Sequence, residues 1–164
     1  MSSPRAILVV CTGNTCRSPM AERLLAHALA AEGEPLKSVP VLSAGIGAYP
    51  GDEASPGAVK ALAKVGLDLK DHRSRRVGPE LLDQVQLVLC MTEGHRQAVR
   101  RQLGEGIPVH LWREFLGAGN DQVPDPYGGD LQDYLDTRDA LAEAVPSILK
   151  HLKSQLSHED QSRS

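Results

Sequence analysis

Two stretches of this chain set a cysteine six positions before an arginine, the separation at which a thiol nucleophile and a cation can share one tight loop. The first is Cys11-Thr12-Gly13-Asn14-Thr15-Cys16-Arg17, followed by Ser18-Pro19; the second is Cys90-Met91-Thr92-Glu93-Gly94-His95-Arg96. The spacing is open to a phosphate cradle, a redox pair, a metal clip or an ordinary turn. It is also weak evidence by itself. With 12 arginines in the chain, three cysteines meet it by chance about one time in five, the hazard of any short motif. The interiors of the loops must decide.

A phosphate dianion needs several backbone N–H groups turned inward, a helix N-terminus behind them and a cation that can bond in two places. The first loop offers all three. Gly13 and Asn14 are residue types that accept left-handed backbone, so the loop can curl its amides inward. Thr12, Thr15 and Cys16 fill the remaining positions, and nothing between Cys11 and Ser18 is acidic. Arg17 stands where the loop runs into a helix. The same field is expected to depress the Cys11 thiol and favour the nucleophilic thiolate, with the Ser18 hydroxyl beside it. In the second loop Glu93 would repel a phosphate, and Cys90 lies inside an apolar run. Cys90 is therefore expected to be a core cysteine.

These loops need elements to carry them. Ala6 to Val10 reads as a buried strand, and Pro19 to Ala31 as a helix with Ser18 as its N-cap and Pro19 as its first residue. Pro40 to Ser43 is a short strand, Ser55-Pro56 opens a helix that Gly66 closes, and Leu87 to Met91 is a second buried strand. A polar helix follows from Glu93 to Leu103, then a weaker strand from Ile107 to Leu111. A long helix from Asp130 to Leu152 ends the domain, with a kink or break expected at Pro146. Strand–helix alternation with apolar strands implies an α/β fold, a parallel sheet covered on both faces. Ligands in such sheets sit beyond the carboxyl ends of the strands.

At 164 residues the chain fits one domain, 1–164, with an ordered core from about 5 to 155 and frayed polar ends at Met1–Arg5 and Ser157–Ser164. A formal charge of −3 gives no reason to expect nucleic acid or an anionic membrane as partner, so an anion site must be local. Three cysteines do not form zinc or disulfide spacings. No signal peptide opens the chain, no apolar run approaches a membrane span, and free thiols fit a reducing cytoplasm.

The residues at 11–19 closely resemble the phosphate loop of the low-molecular-weight protein tyrosine phosphatases. Those enzymes also carry an Asp-Pro-aromatic motif near the C-terminus, here Asp125-Pro126-Tyr127. The resemblance implies a single-domain, four-stranded parallel sheet flanked by helices, and hydrolysis of a phosphorylated protein side chain through a phosphocysteine. In it Cys11 is the nucleophile, Arg17 and the loop amides hold the phosphoryl oxygens, Asp125 is the acid and then the base, and no metal or cofactor is required. Asn14, Ser18, Ser43 and His72 match a network that holds the loop in shape. Thr12, Tyr49 and Tyr127 match positions lining the substrate cleft. Cys16 matches a cysteine that can form a protective disulfide with Cys11. His95 and His110 show no ligand spacing and are expected to be structural or exposed. The chain is expected to act as a monomer.

The substrate is open between two siblings. Tyrosine-selective members of the family carry a bulky aliphatic residue where Thr15 stands, whereas bacterial protein-arginine phosphatases resemble this chain there, in the run Asp125 to Gly129 and in Thr137-Arg138-Asp139. Tyr49, as a second aromatic wall, favours a phenyl ring. Thioredoxin-coupled arsenate reductases share the loop but need further cysteines, and Thr92 stands where one would be expected. A phosphopeptide-binding module would need neither Cys11 nor Asp125.

Overall fold

The computed structural model describes residues 4–104 and 106–163; of the polar start, Met1 to Ser3 lie outside the described residues. Strands β1 (Ala6–Cys11), β2 (Val41–Gly45), β3 (Val85–Cys90) and β4 (Val109–Leu111) form one sheet in the order β2-β1-β3-β4, every neighbouring pair parallel. Every residue of β1 is buried, as a strand covered on both faces requires.

Alternation along β1 divides the core in two. Ile7, Val9 and Cys11 face a layer made with α1 (Arg17–Ala30), α2 (Pro56–Ala63) and α5 (Leu131–Arg163). Leu8 and Val10 face the layer made with α3 (Pro79–Leu82) and α4 (Glu93–Leu103). The chain leaves β1 toward β2 on one side, while β3 lies on the other. This is the reversal of strand order at which a crevice opens beyond the carboxyl ends. The loop after β1 and the start of α4 are its two walls.

Several boundaries differ from expectation. The first helix begins at Arg17 with Cys16 at its N-cap, not at Pro19 with Ser18 as cap. Ser18 is inside the helix and its hydroxyl is taken by other partners, described below. β2 runs on to Gly45, and β4 is shorter than Ile107–Leu111 because Pro108 has no N–H to give the ladder, although its carbonyl still accepts from Val88 N at 3.0 Å. The four-residue α3 and the 3₁₀ turns at Leu36–Ser38 and Glu114–Leu116 had no sequence signal strong enough to read.

The expected break at Pro146 does not occur: α5 is one helix from Leu131 to Arg163, past both Pro146 and Leu152. Pro146 is on the exposed side, where the carbonyl that loses its partner can face water. Leu141, Ala144 and Ile148 on the other side are fully buried. Burying a Leu and an Ile contributes about 1.5–3 kcal/mol each, which offsets the roughly 3 kcal/mol a helical proline costs. Beyond Leu152, Leu156 still packs on the core and extends the helix. Pro146→Ala is therefore expected to stabilise the protein by about 1–3 kcal/mol, read as a higher urea midpoint; a lower midpoint would mean that the proline shapes the helix rather than straining it.

Candidate active site

The loop between β1 and α1 turns at Asn14, which alone among the described non-glycine residues has a left-handed backbone (φ 57°). Gly13 does not share that conformation, so the bend expected from both residues falls on the asparagine. Asn14 is fully buried. Its Nδ2 donates to Ser18 Oγ at 2.8 Å and to Ser43 Oγ at 3.0 Å, and its Oδ1 accepts from Arg75 N at 2.9 Å. Its carbonyl accepts from His72 Nε2 at 2.7 Å, which puts the ring proton of His72 on Nε2. Ser43 and His72 thus sit behind the loop.

With its side chain fastened outward, Asn14 points its N–H inward, 3.3 Å from Cys11 Sγ. Among the described residues the N–H groups of Gly13, Thr15 and Cys16 have no protein acceptor. Ser18 Oγ lies 2.9 Å from Cys11 Sγ; because it accepts from Asn14, its own hydrogen is free for the sulfur. Burial pushes the Cys11 thiol up, while Ser18, the Asn14 N–H and the Arg17 charge pull it down. Burial is the larger effect, so the net depression expected from the loop's field is not found. The sequence displays the field but not the desolvation that opposes it.

The buried Arg17 guanidinium donates from Nη1 to Val123 O at 2.8 Å, and its Nη2 stands 3.5 Å from Asp125 Oδ2. Val123 N donates to Met91 O at 2.9 Å, pinning this segment to the end of β3. Asp125 Oδ1 accepts from Tyr127 N at 3.0 Å and Gly129 N donates to Pro126 O at 2.8 Å, a turn that leaves the Asp125 side chain half exposed at the cleft mouth. Residues 11–17, Asp125 and Tyr127 line one cleft. Thr12, Thr15 and Tyr127 are among them. Tyr49 is not: its carbonyl is tied to the Ser74 hydroxyl and its side chain stands 78% exposed.

Cys16 is a buried free thiol with Sγ 3.0 Å from Ser55 Oγ and 3.6 Å from Tyr134 OH. Arg138 donates to Ala61 O at 3.0 Å, tying α5 to α2 rather than entering the cleft. Cys90 is fully buried and its thiol is pushed up to about 12 by burial. Arg96 is committed to Glu93 and Glu114, so the second Cys-x₅-Arg stretch has neither a reactive thiol nor a free cation. His110 bonds Glu114 Oε2 at 3.0 Å and packs on Phe115 and His151, a structural role.

Two site residues escaped the sequence reading. A Cβ on Gly45 would collide with the carbonyl oxygen of Thr12 and stand 3.0 Å from Asn14 N, so only glycine lets β2 lie against the back of the loop. Its signal was a glycine at the carboxyl end of a strand. His95, far from being exposed, is buried with Nε2 2.8 Å from Thr12 Oγ1. Burial, with Arg17 adding and Asp125 opposing, pushes its ring down to about 4. Its signal was only its place, on the first turn after β3.

A buried thiol below inward N–H groups, a fixed guanidinium and a carboxylate at the mouth can hold a tetrahedral dianion, attack it and protonate what leaves. The family model for low molecular weight phosphotyrosine protein phosphatase matches residues 6–158. The chain belongs to that family. It is 40% identical to a protein-arginine-phosphatase of Bacillus subtilis (strain 168), over 90% of this chain and 96% of the relative. It is 41% identical to a probable low molecular weight protein-tyrosine-phosphatase of Ralstonia solanacearum, over 92% and 97%. Among solved structures it is similar to an arginine phosphatase captured as a cysteine-to-serine mutant with a phosphorylated active-site serine. That likeness has a TM-score of 0.79 at 39% identity and covers 90% of this chain and 95% of the other.

In this family member the Ser18 contact opposes the upward push of burial on Cys11. A hydrogen bond to a charged group contributes about 1.5–3 kcal/mol, or roughly one to two pH units. Ser18→Ala should therefore move the pH midpoint of Cys11 alkylation by iodoacetamide upward by about that amount, and an unchanged midpoint would remove Ser18 from the thiolate's support.

Proposed function

We propose that this chain is a cysteine-dependent protein phosphatase that hydrolyses phosphorylated side chains through a phosphocysteine. The observation that carries the reading is the convergence of Cys11 Sγ, the unpaired loop N–H groups, buried Arg17 and distant Asp125 on one cleft. Loop N–H groups and Arg17 hold the phosphoryl oxygens while the Cys11 thiolate attacks phosphorus in line. The bond to the leaving atom breaks as Asp125 gives it a proton. Water then attacks the phosphocysteine, Asp125 takes its proton, and phosphate departs from a restored thiolate. The relative whose active-site serine carries phosphate supports such an intermediate. Asn14, Ser18, Ser43 and His72 hold the loop; Thr12, Thr15 and Tyr127 face the substrate; and Cys16 serves as the redox partner of Cys11.

Turnover of para-nitrophenyl phosphate tests this. Cys11→Ser should abolish it, and Asp125→Asn should slow it by about 10²–10⁴-fold, the usual range for a lost general acid. Retained turnover in Cys11→Ser would overturn the reading.

The phosphorylated residue has two candidates, tyrosine and arginine. Identity does not separate the relatives, at 40% and 41%. Thr15 favours phosphoarginine, since its hydroxyl at the cleft wall can accept from a guanidine N–H. Tyr49, exposed to the same degree as Tyr127, favours a phenyl ring as a second aromatic wall. Thr15→Ile is expected to lower the ratio of phosphoarginine to phosphotyrosine peptide turnover at least about tenfold, the worth of one hydrogen bond to a charged partner; an unchanged ratio defeats the threonine argument. An arsenate reductase relay has little support, because Cys90 is buried in the opposite core layer. No described helix is long and apolar enough to cross a membrane, and a cytoplasmic location is part of this proposal.

A further inference from the structure

The second Cys-x₅-Arg stretch does contribute to the cleft, through a residue other than its cysteine or its arginine. We propose that His95 is a positioning residue whose Nε2–H holds the Thr12 hydroxyl oxygen, so that the Thr12 O–H is turned into the cleft as one more donor to a phosphoryl oxygen. This rests on the phosphatase reading above.

The two residues come from opposite walls of the crevice at the strand-order reversal. Thr12 follows Cys11 directly, its carbonyl held by Gly47 N at 2.9 Å, and its side chain lines the cleft. His95 sits on the first turn of α4 and reaches Thr12 Oγ1 at 2.8 Å, while its Nδ1 is 3.1 Å from Thr92 Oγ1.

The hydrogen count selects the tautomer. Thr92 caps α4, its Oγ1 accepting from His95 N at 3.3 Å. A hydroxyl has one hydrogen to give, and the nearest acceptor for it is Nδ1 of the same histidine. That arrangement closes the cap within the protein and leaves the proton of the neutral ring on Nε2, which donates to Thr12 Oγ1. Among the described residues the Thr12 hydrogen then has no protein acceptor, and it faces the open cleft. The other tautomer would aim the Thr12 hydrogen at the ring and strand the Thr92 hydrogen on a half-buried side chain. With its ring pushed down to about 4, His95 brings no charge of its own near neutral pH. It acts as a neutral relay, running from Thr92 to the ring, to the Thr12 hydroxyl and on to the phosphoryl group.

A donor lost from a bound anion is worth roughly tenfold or more in affinity. On para-nitrophenyl phosphate, Thr12→Val and His95→Phe should each lower kcat/KM about tenfold and raise the inhibition constant of inorganic phosphate by a similar factor. Thr12→Val/His95→Phe combined should be no worse than the weaker single variant, because the histidine acts only through the hydroxyl. His95→Gln, whose amide N–H can stand in for Nε2–H, should return within about threefold of the parent protein. Should His95→Phe fail to fold, His95→Asn takes its place, with an amide long enough for Thr92 and too short for Thr12. Losses that multiply in the double variant, or phosphate inhibition unmoved by the histidine substitution, overturn the inference. Absent turnover in the parent protein instead defeats the phosphatase reading, so the two failures are distinct.

Discussion

Asn14 is the constraint on which the site depends. A left-handed residue in the middle of the loop is what turns successive N–H groups toward one point, and a side chain with a Cβ adopts that conformation at a cost. Asparagine lowers the cost, and the hydrogen bonds to Ser18, Ser43, Arg75 N and His72 hold it in that arrangement. The four partners come from three parts of the fold: α1, β2 and the segment before α3, which supplies both His72 and Arg75. A buried amide left without one of them costs about 1–3 kcal/mol, so the loop keeps its shape only while all of these elements are docked. Gly45 completes this by letting β2 approach the loop's backbone, where any side chain would push it away.

The same rigidity keeps a cation where water would otherwise be needed. Arg17 is 5% exposed, and a buried guanidinium without partners would be costly. Val123 O and Asp125 meet that need, and they are also what brings the carboxylate within reach of the phosphate loop. Under the proposed mechanism an incoming phosphoryl group competes with Asp125 for the guanidinium. The carboxyl that loses its partner then stands at the cleft mouth, free to turn toward the leaving atom. One buried charge thereby links where the phosphoryl group binds to where the acid stands.

The phosphate loop was legible because its information is local: an asparagine for the bend, no acid, a helix start. Asp125, Ser43 and His72 came from resemblance, since nothing in a single sequence says that they fold back onto residues 11–18. What stayed hidden depends on burial and on distance. The field around Cys11 could be read from its neighbours, whereas the desolvation that outweighs it belongs to the packed layers. Ser18 looked like a helix cap because serine before proline usually is one; its hydroxyl had a stronger partner in the thiol. Pro146 looked like a helix breaker because its cost is local and the burial that offsets it is not. Tyr49 also came from resemblance, and its ring is as exposed as that of Tyr127.

The two Cys-x₅-Arg stretches differ in the end by one residue of register. Both cysteines close parallel strands that lie side by side, but the partner of Cys90 in β1 is Val10, not Cys11. Cys11 therefore points to the layer shared with α1 and the phosphate loop, and Cys90 points with Val10 into the layer under α4. Trp112 N and Met91 N complete the hydrogen bonds around that second strand end, leaving its thiol sealed in apolar surroundings. A nucleophile there would face Val99 and Val109 rather than substrate. The loop after β3 nonetheless opens on the same crevice, and what it can offer from that side is the first turn of its helix. Thr92 and His95 stand there, which is why the half of the duplicated spacing that cannot react can still shape the half that does.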